Sequence, residues 1–306
     1  MNTELKSYTH PPVKGESHKK MLPSKTALVL EGGGTRGFYS AGVFEAFMDE
    51  GIMFPYIAGV SAGAANALTY VAGQRGRNRL IVEKYVGNKK YVSRRNLLRY
   101  GSLFGYDFIF KTIPDSHIFW DREVFENTDI RFLTGAIDCN TGRTVWFEKQ
   151  DITAGFPATI ASCSVPLAAK IVKYGGYELL DGGVSSPIPI EKSIEDGNEF
   201  HVVVLTRNQG YKKEAFRHKN ILKLFYRKYP NLINAILNRH EVYNRQLALC
   251  EQLEREGKAL IIRPQIPLAV ERAGTNTKKL LALYDEGHEE ARNLIRKILS
   301  RSGQSF

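Results

Sequence analysis
Between Glu50 and Arg75 lies a run of 24 residues, 51–74, without one charged side chain. A stretch of that length has to leave water, either as a membrane-crossing helix or as buried elements of a core. About 20 apolar residues are enough to span a bilayer, and Gly59 with Gly63 even makes a GxxxG helix-pairing pattern. Pro55, Ser61, Asn66 and Thr69 interrupt the run, however, and Ala and Gly outnumber the Leu, Ile and Phe that drive insertion. What remains is a short buried strand over 56–60, a tight turn at Gly59-Val60-Ser61-Ala62-Gly63, and an Ala-rich helix over 62–72.

The segment before this run has the same form. Residues 26–30, ThrAlaLeuValLeu, are apolar and stop at glycines, as a strand buried on both faces does. Phe38, Ala41, Val43, Phe44, Phe47 and Met48 then recur at helical spacing, and Gly51 closes that helix. Strand, helix, strand, helix at these lengths predicts an α/β fold: a mainly parallel sheet with helices on both faces. Further strands are expected at 130–138, 144–148, 169–173, 201–206 and 259–263, with Asn140-Thr141-Gly142 turning between the first two. Residues 220–256 and 275–299 read as helices, so the division expected is an α/β domain over 25–210 and a helical C-terminal extension over 211–306. Between 82 and 120 the pattern loosens into aromatic, basic and glycine residues, which fits an insertion over the sheet edge, either a lid or acyl channel or simply a packed helical piece.

Three motifs carry chemistry. GVSAG sits where a strand passes to a helix, and a GxSxG elbow needs small neighbours because its backbone is strained while the hydroxyl projects from the turn. Glu31-Gly32-Gly33-Gly34-Thr35-Arg36-Gly37 also joins a strand to a helix and satisfies GxGxxG. A dinucleotide site would need a carboxylate at the end of the next strand, where GVSAG stands instead, and no Gly-Lys-Ser/Thr follows to make a P-loop. The glycines still offer free N–H groups at a helix N-terminus, suited to a tetrahedral oxyanion beside an activated serine. Asp181-Gly182-Gly183, taken alone, is an ordinary Asp-Gly turn. A serine nucleophile needs a base, and the seven histidines, His10, His18, His117, His201, His218, His240 and His288, sit in undistinguished settings.

In this order EGGGTRG, GVSAG and DGG, with Ala161-Ser162-Cys163-Ser164-Val165-Pro166 before the last, resemble the patatin-like phospholipase family from Thr26 to about Arg207. The remainder resembles the bacterial branch of that family. The resemblance implies a three-layer α/β/α sandwich and a Ser-Asp pair working without histidine. On this sequence it makes Ser61 the nucleophile and Asp181 the base, with Gly32, Gly33 and Gly34 as the oxyanion hole. Arg36 would hold the loop or meet a phosphate, and Gly37, Gly59, Gly63, Gly182 and Gly183 support the motifs. Glu31 departs from the Asp that many relatives carry there. The activity implied is hydrolysis of lipid esters by acyl transfer, with no metal and no cofactor. An exposed aspartate, with pKa near 3.9, is a poor base, so Asp181 is expected to be partly buried. Two rivals stay open: a Ser/Asp/His triad on an α/β-hydrolase fold, with His201, His218, His240 or His288 as base, and a lipid-surface protein without catalysis.

Charge bears on partners. Lys and Arg number 43 against 32 Asp and Glu, a net +11, which favours an anionic partner. The excess concentrates in Lys89, Lys90, Arg94, Arg95 and Arg99, among bulky apolar residues, and again across 212–228. Such mixtures suit peripheral contact with anionic membrane, and no nucleic-acid-binding module is recognisable. Cys139, Cys163 and Cys250 match neither a disulfide framework nor a metal clip, which points to a reducing cytoplasm. Residues 1–24 lack the apolar core of a secretory signal and read as a disordered lead-in.

Overall fold
The structure is a computed structural model and describes residues 20–152 and 155–301. Most of the lead-in expected over 1–24 therefore lies outside the described residues. Its end does not: β1 (Lys20–Met21) pairs in parallel with a strand from the uncharged run, and Leu22 is buried. β2 (Thr26–Leu30) is buried at every position, and the glycine loop leads through a 3₁₀ turn, Gly34–Gly37, into α1 (Phe38–Asp49). The uncharged run then divides into β3 (Ile52–Met53), β4 (Tyr56–Val60) and α2 (Ala62–Val71). Among the described residues no helix is long and apolar enough to cross a membrane.

Next come α3 (Arg77–Ile81), which runs into a π-helical turn at Val82–Val86, α4 (Arg94–Tyr100), a π-helical segment at Phe108–His117, and α5 (Arg122–Asn127). Ser93 starts α4 by accepting the Asn96 N–H, and Asp121 starts α5 by accepting that of Val124, as N-cap residues do. β5 (Arg131–Asp138) and β6 (Thr144–Phe147) form a hairpin, followed by α6 (Pro157–Cys163), β7 (Val172–Tyr174) and β8 (Tyr177–Asp181). The chain ends with α7 (Ile190–Glu195), β9 (Phe200–Val204), α8 (Lys219–Tyr226), α9 (Pro230–Arg255), β10 (Ala259–Ile262) and α10 (Thr277–Arg301). The strand expected at 169–173 lies a little later, and the sequence reading did not anticipate β8, whose tail it took for an Asp-Gly turn.

The main sheet runs β10-β9-β2-β4-β5-β8-β7, with β6 also on β5. From β10 to β5 all pairs are parallel, while β6, β8 and β7 add antiparallel pairs at one end. Alternation along the strands separates the two faces. Leu28, Leu30, Ile57, Phe132, Val202 and Val204 pack with Val43, Phe44 and Phe47 of α1, Ala64 and Leu68 of α2, and Leu283 and Ile295 of α10. Ala27, Val29, Ala58, Leu133, Val203 and Leu205 pack with Ile190 of α7 and with Tyr243, Leu247 and Cys250 of α9. That is helix, sheet, helix: the three layers expected. Residues after 210 return to the sheet through β10 and to α1 through α10, where Tyr284 Oη donates to Glu45 and His288 Nε2 meets Asp49 at 2.7 Å. The 82–120 piece is packed, with Val82, Val86, Phe108 and Ile113 buried against Phe38, Ala41, Leu280 and Tyr284.

Candidate active site
Strand register brings Ser61 and Asp181 together. Val60, the last residue of β4, pairs with Gly135 of β5, and Asp181, the last of β8, pairs with the next residue, Ala136. The other edge of β5 is taken by β6 from Thr134 to Ile137. Hence β4 and β8 follow one another along the same edge of β5, end to end, and Ser61 and Asp181 stand at the break between them. Ser61 Oγ donates a hydrogen bond to Asp181 Oδ2 at 2.9 Å, and both residues are buried.

The backbone at Ser61 is strained, with φ 52° and ψ −132°, a region that side-chain-bearing residues rarely enter. Ser162 holds it. The Ser61 N–H donates to Ser162 Oγ at 2.7 Å, while that hydroxyl donates to Gly135 O at 2.6 Å. One fully buried side chain thus joins the two backbone groups left over where β4 leaves β5. The small residues of GVSAG are explained by the same crowding: a Cβ on Gly63 would lie 2.6 Å from Glu31 O, and one on Gly59 3.0 Å from Ala64 N.

The glycine loop runs beside the elbow, close enough that a Cβ on Gly32 would sit 2.9 Å from Ser61 Cβ. Both its ends are tied down. Glu31 Oε2 accepts the Thr206 N–H at 2.6 Å and Thr206 Oγ1 donates to Gly32 O at 3.2 Å, while Thr35 N–H donates to Arg272 O at 2.8 Å. Between the anchors, Gly32, Gly33 and Gly34 have N–H groups with no hydrogen-bond partner among the described residues. Gly37 closes against the elbow helix, its carbonyl accepting from Asn66 Nδ2 at 2.8 Å. Arg36 is buried but does not bind the loop, and its Nε has no partner.

Burial raises the Asp181 carboxyl above its ordinary range, against the opposing pull of Arg239 and of hydrogen bonds from the Gly183 N–H and Ser61. The Gly183 N–H meets Oδ1 at 2.7 Å, so each carboxylate oxygen has one donor and its orientation is fixed. Gly182 lies flat on β5, where a Cβ would come 2.1 Å from Gly135 O. Among the described residues no histidine hydrogen-bonds to the pair. His201 is buried against Ser193, His288 faces Asp49, and His218 and His240 line a cavity on the far side of Asp181 without bonding to it.

The pair separates two unlike cavities. On the Ser61 side the lining is apolar, with Phe38, Tyr91, Phe104, Tyr106, Ile109 and Phe110 around the serine. Five of those six come from the 82–120 piece, which is therefore both packed and part of the site. On the Asp181 side the lining is rich in arginine. The sequence reading gave no role to Ser162 or to the arginines contributed from beyond residue 206; no local pattern marks them, since each acts across a long loop.

Comparison with known proteins gives a family match over the part of the chain that holds Ser61 and Asp181. The model of the family "Patatin-like phospholipase" matches residues 28–193, more than half of the chain, and that of a "Domain of unknown function (DUF6363)" matches 229–302. The chain is 25% identical over 204 residues to "Uncharacterized protein YjjU" of Escherichia coli, covering 62% of this chain and 54% of that protein. It is 28% identical over 228 residues to "Lysophospholipase NTE1" of Debaryomyces hansenii, covering 66% of this chain and 14% of that one. The match thus spans about half, or much less, of these relatives' own length. Among solved structures, VipD from Legionella pneumophila aligns with a TM-score of 0.46 at 14% identity, over 90% of this chain and 67% of that one.

Proposed function
The chain belongs to the patatin-like phospholipase family, and from that premise we propose that it is a serine acyl hydrolase cleaving carboxylic ester bonds of lipids through Ser61 and Asp181. The observation that carries the reading is the 2.9 Å hydrogen bond from a strained elbow serine to a buried aspartate. Asp181 takes the Ser61 proton as Oγ attacks the ester carbonyl carbon. The oxyanion that forms is received by the N–H groups of Gly32, Gly33 and Gly34, where one such donor is typically worth about 10² to 10³ in rate. Collapse expels the lipid alcohol, which takes the proton from Asp181. Water, deprotonated by the same carboxylate, then attacks the acyl-serine and releases the fatty acid. A carboxyl raised above its usual range serves this work better than an exposed one.

The apolar lining at Ser61 suits the acyl side of the ester, and relatives named lysophospholipase support a lipid ester as substrate. Access is from a membrane surface. Leu98 and Tyr100 of α4 and Leu224 and Phe225 of α8 are all exposed, among Arg94, Arg95, Arg99, Lys219 and Lys223. Both helices join the 165–171 stretch at the cavity rim, through Leu103 N–H to Ala168 O at 2.7 Å and Leu167 N–H to Tyr226 Oη at 2.8 Å. Apolar tips among cations suit the interface of an anionic bilayer. The free thiols of Cys139, Cys163 and Cys250 fit its cytoplasmic side.

Fatty-acid release from phospholipid vesicles, and hydrolysis of a soluble short-chain ester, test the reading. Ser61→Ala is expected to fall to background and Asp181→Asn by about 10² to 10⁴ on both substrates. Leu224→Asp with Phe225→Asp is expected to lower release from anionic vesicles while sparing the soluble ester. Loss of activity in folded His218→Ala or His240→Ala would hand the base to an imidazole. Unchanged hydrolysis in Ser61→Ala would end the proposal.

A further inference from the structure
The cavity on the Asp181 side holds about 530 Å³, well within the range of small-molecule sites. Arg36, Arg207, Lys213, Arg239 and Arg272 line it, Arg207 and Lys213 from the stretch between β9 and α8 and the others from three further parts of the chain. Their charges are offset only in part, by Glu31 and Asp181. Among the described residues none of the five has a carboxylate in ion-pair range. Arg239 Nε donates to Gly183 O, the Arg207 guanidinium stacks 4.3 Å from the Tyr211 ring, and Lys213 Nζ lies 5.5 Å from the Tyr243 ring. Arg36, only 5% exposed, lines the cavity and keeps its Nε buried with no hydrogen-bond partner among the described residues.

Of the nearby carboxylates, Glu31 accepts the Thr206 N–H and Asp181 accepts from Ser61 and Gly183, both keeping their charge, while Glu214 pairs with Arg217, so five basic groups face two carboxylates. The cations therefore press on one another. Burial, with Arg207 and Arg272 next, lowers Arg36 to about 10, and burial followed by Arg239, Arg272 and Arg207 lowers Lys213 to about 7. Arg36 is buried, Arg207, Lys213 and Arg239 are half-buried and Arg272 is exposed, and basic groups gathered at such depth around one cavity make a favourable place for an anion.

We infer that this cavity binds a phosphomonoester dianion, and, resting on the acyl-hydrolase reading, that the preferred esters are lipids whose phosphate is terminal. A phosphodiester bearing a trimethylammonium group would bring one negative charge and a further cation into a crowd of cations. A phosphomonoester brings about −1.5 to −2 and three acceptor oxygens that match guanidinium forks. The ester carbonyl of such a lipid would lie at Ser61, with its phosphate beyond Asp181 and its chain in the apolar cavity.

Two arms test this at constant ionic strength. In the first, thermal unfolding is followed with inorganic phosphate against chloride. Phosphate is expected to raise the midpoint of the wild type by about 3 °C or more. Arg207→Gln with Lys213→Gln should melt higher than wild type without phosphate, since repulsion is relieved, and should lose the phosphate increment. No increment in the wild type overturns the site, whatever its enzymology. In the second arm, rates on lysophosphatidic acid and lysophosphatidylcholine of one acyl chain are compared, with p-nitrophenyl butyrate as a neutral ester. The wild type is expected to favour the terminal phosphate at least tenfold in kcat/KM, a preference that the double variant loses mainly through KM. Phosphate that competes with lysophosphatidic acid but spares p-nitrophenyl butyrate assigns the cavity to the lipid head group, whereas phosphate that alters turnover of the neutral ester assigns it to a free phosphate. Hydrolysis of all three esters without preference overturns the specificity alone, and hydrolysis of none overturns the acyl-hydrolase reading.

Discussion
Ser162→Ala should damage this protein far more than the loss of one hydroxyl implies, and the neighbouring Thr159→Val should not damage it at all. Both side chains are fully buried on α6, about one turn apart. Ser162 Oγ accepts from the Ser61 N–H at 2.7 Å and donates to Gly135 O at 2.6 Å, whereas Thr159 Oγ1 has no partner. Removing the serine hydroxyl strands two buried backbone groups, each at about 1 to 3 kcal/mol, so a loss of about 2 to 6 kcal/mol is expected. Removing the threonine hydroxyl strands nothing and deletes a group buried without compensation, so stability should hold or rise. Part of the Ser162 loss should appear as rate. The Ser61 N–H is the restraint nearest the strained torsion, and a misplacement of about 1 Å at a reacting group is worth about 10² in rate. Urea unfolding of both variants, with kcat and KM on a soluble ester, decides the matter: Ser162→Ala should lose kcat by about 10 to 10² with KM nearly unchanged. If the two variants unfold within about 0.5 kcal/mol of each other and both keep kcat within twofold, the bridging hydroxyl does not hold the elbow.

Two further outcomes follow from buried groups outside the site. His201, 2% exposed and hydrogen-bonded to Ser193, is lowered by burial from 6.5 to about 4. Since the unfolded chain takes up a proton here and the folded one does not, stability contributed above pH 6.5 is lost as pH falls to 4, by about 3 kcal/mol. Urea midpoints across that window should flatten in His201→Asn; parallel curves for the two proteins would refute the assignment. At the α1/α10 crossing, a Cβ on Gly42 would lie 1.9 Å from Tyr284 O, and one on Gly287 2.1 Å from Tyr39 O. Gly42→Ala and Gly287→Ala should each lose about 1 to 3 kcal/mol in urea unfolding, because backbone rather than a flexible side chain must yield.

What could be read from the sequence was what depends on neighbours along the chain. GVSAG is local: Gly59 and Gly63 are small because the elbow folds back on Ala64 and Glu31, and the buried strand and helix around them are written in 24 uncharged residues. The glycine loop is equally local, needing only a strand end and a helix start. Asp181 was legible through resemblance alone, because its local chemistry is that of a turn and its meaning comes from the register of β8 on β5. Ser162, Arg207, Arg239 and Arg272 carry no local signal, whereas Arg36 stands in the glycine motif and Lys213 in the basic stretch over 212–228. Ser162 acts on Ser61 101 residues away, and Arg36, Arg207, Lys213, Arg239 and Arg272 become a cluster only after β9, α9 and the stretch before α10 close over the sheet edge.

The break in β5 pairing explains why one place in the fold serves both chemistry and selectivity. Where β4 and β8 both end, the sheet leaves a backbone N–H and a carbonyl unpaired, and such a gap is tolerable only if something fills it. Ser162 fills the main-chain part, and the Ser61–Asp181 hydrogen bond fills the side-chain part. Because β5 continues past the break, the two sides of the gap face different layers of helix: α1 and the 82–120 piece bring aromatic rings to Ser61, and α9 brings Arg239 to Asp181. On the proposed function, an ester spanning the gap would be sorted by its ends, apolar toward the serine and anionic toward the aspartate. Exchanging charge on the Asp181 side should accordingly change which esters are cleaved without changing how, while any change at Ser162 should weaken cleavage of all of them alike.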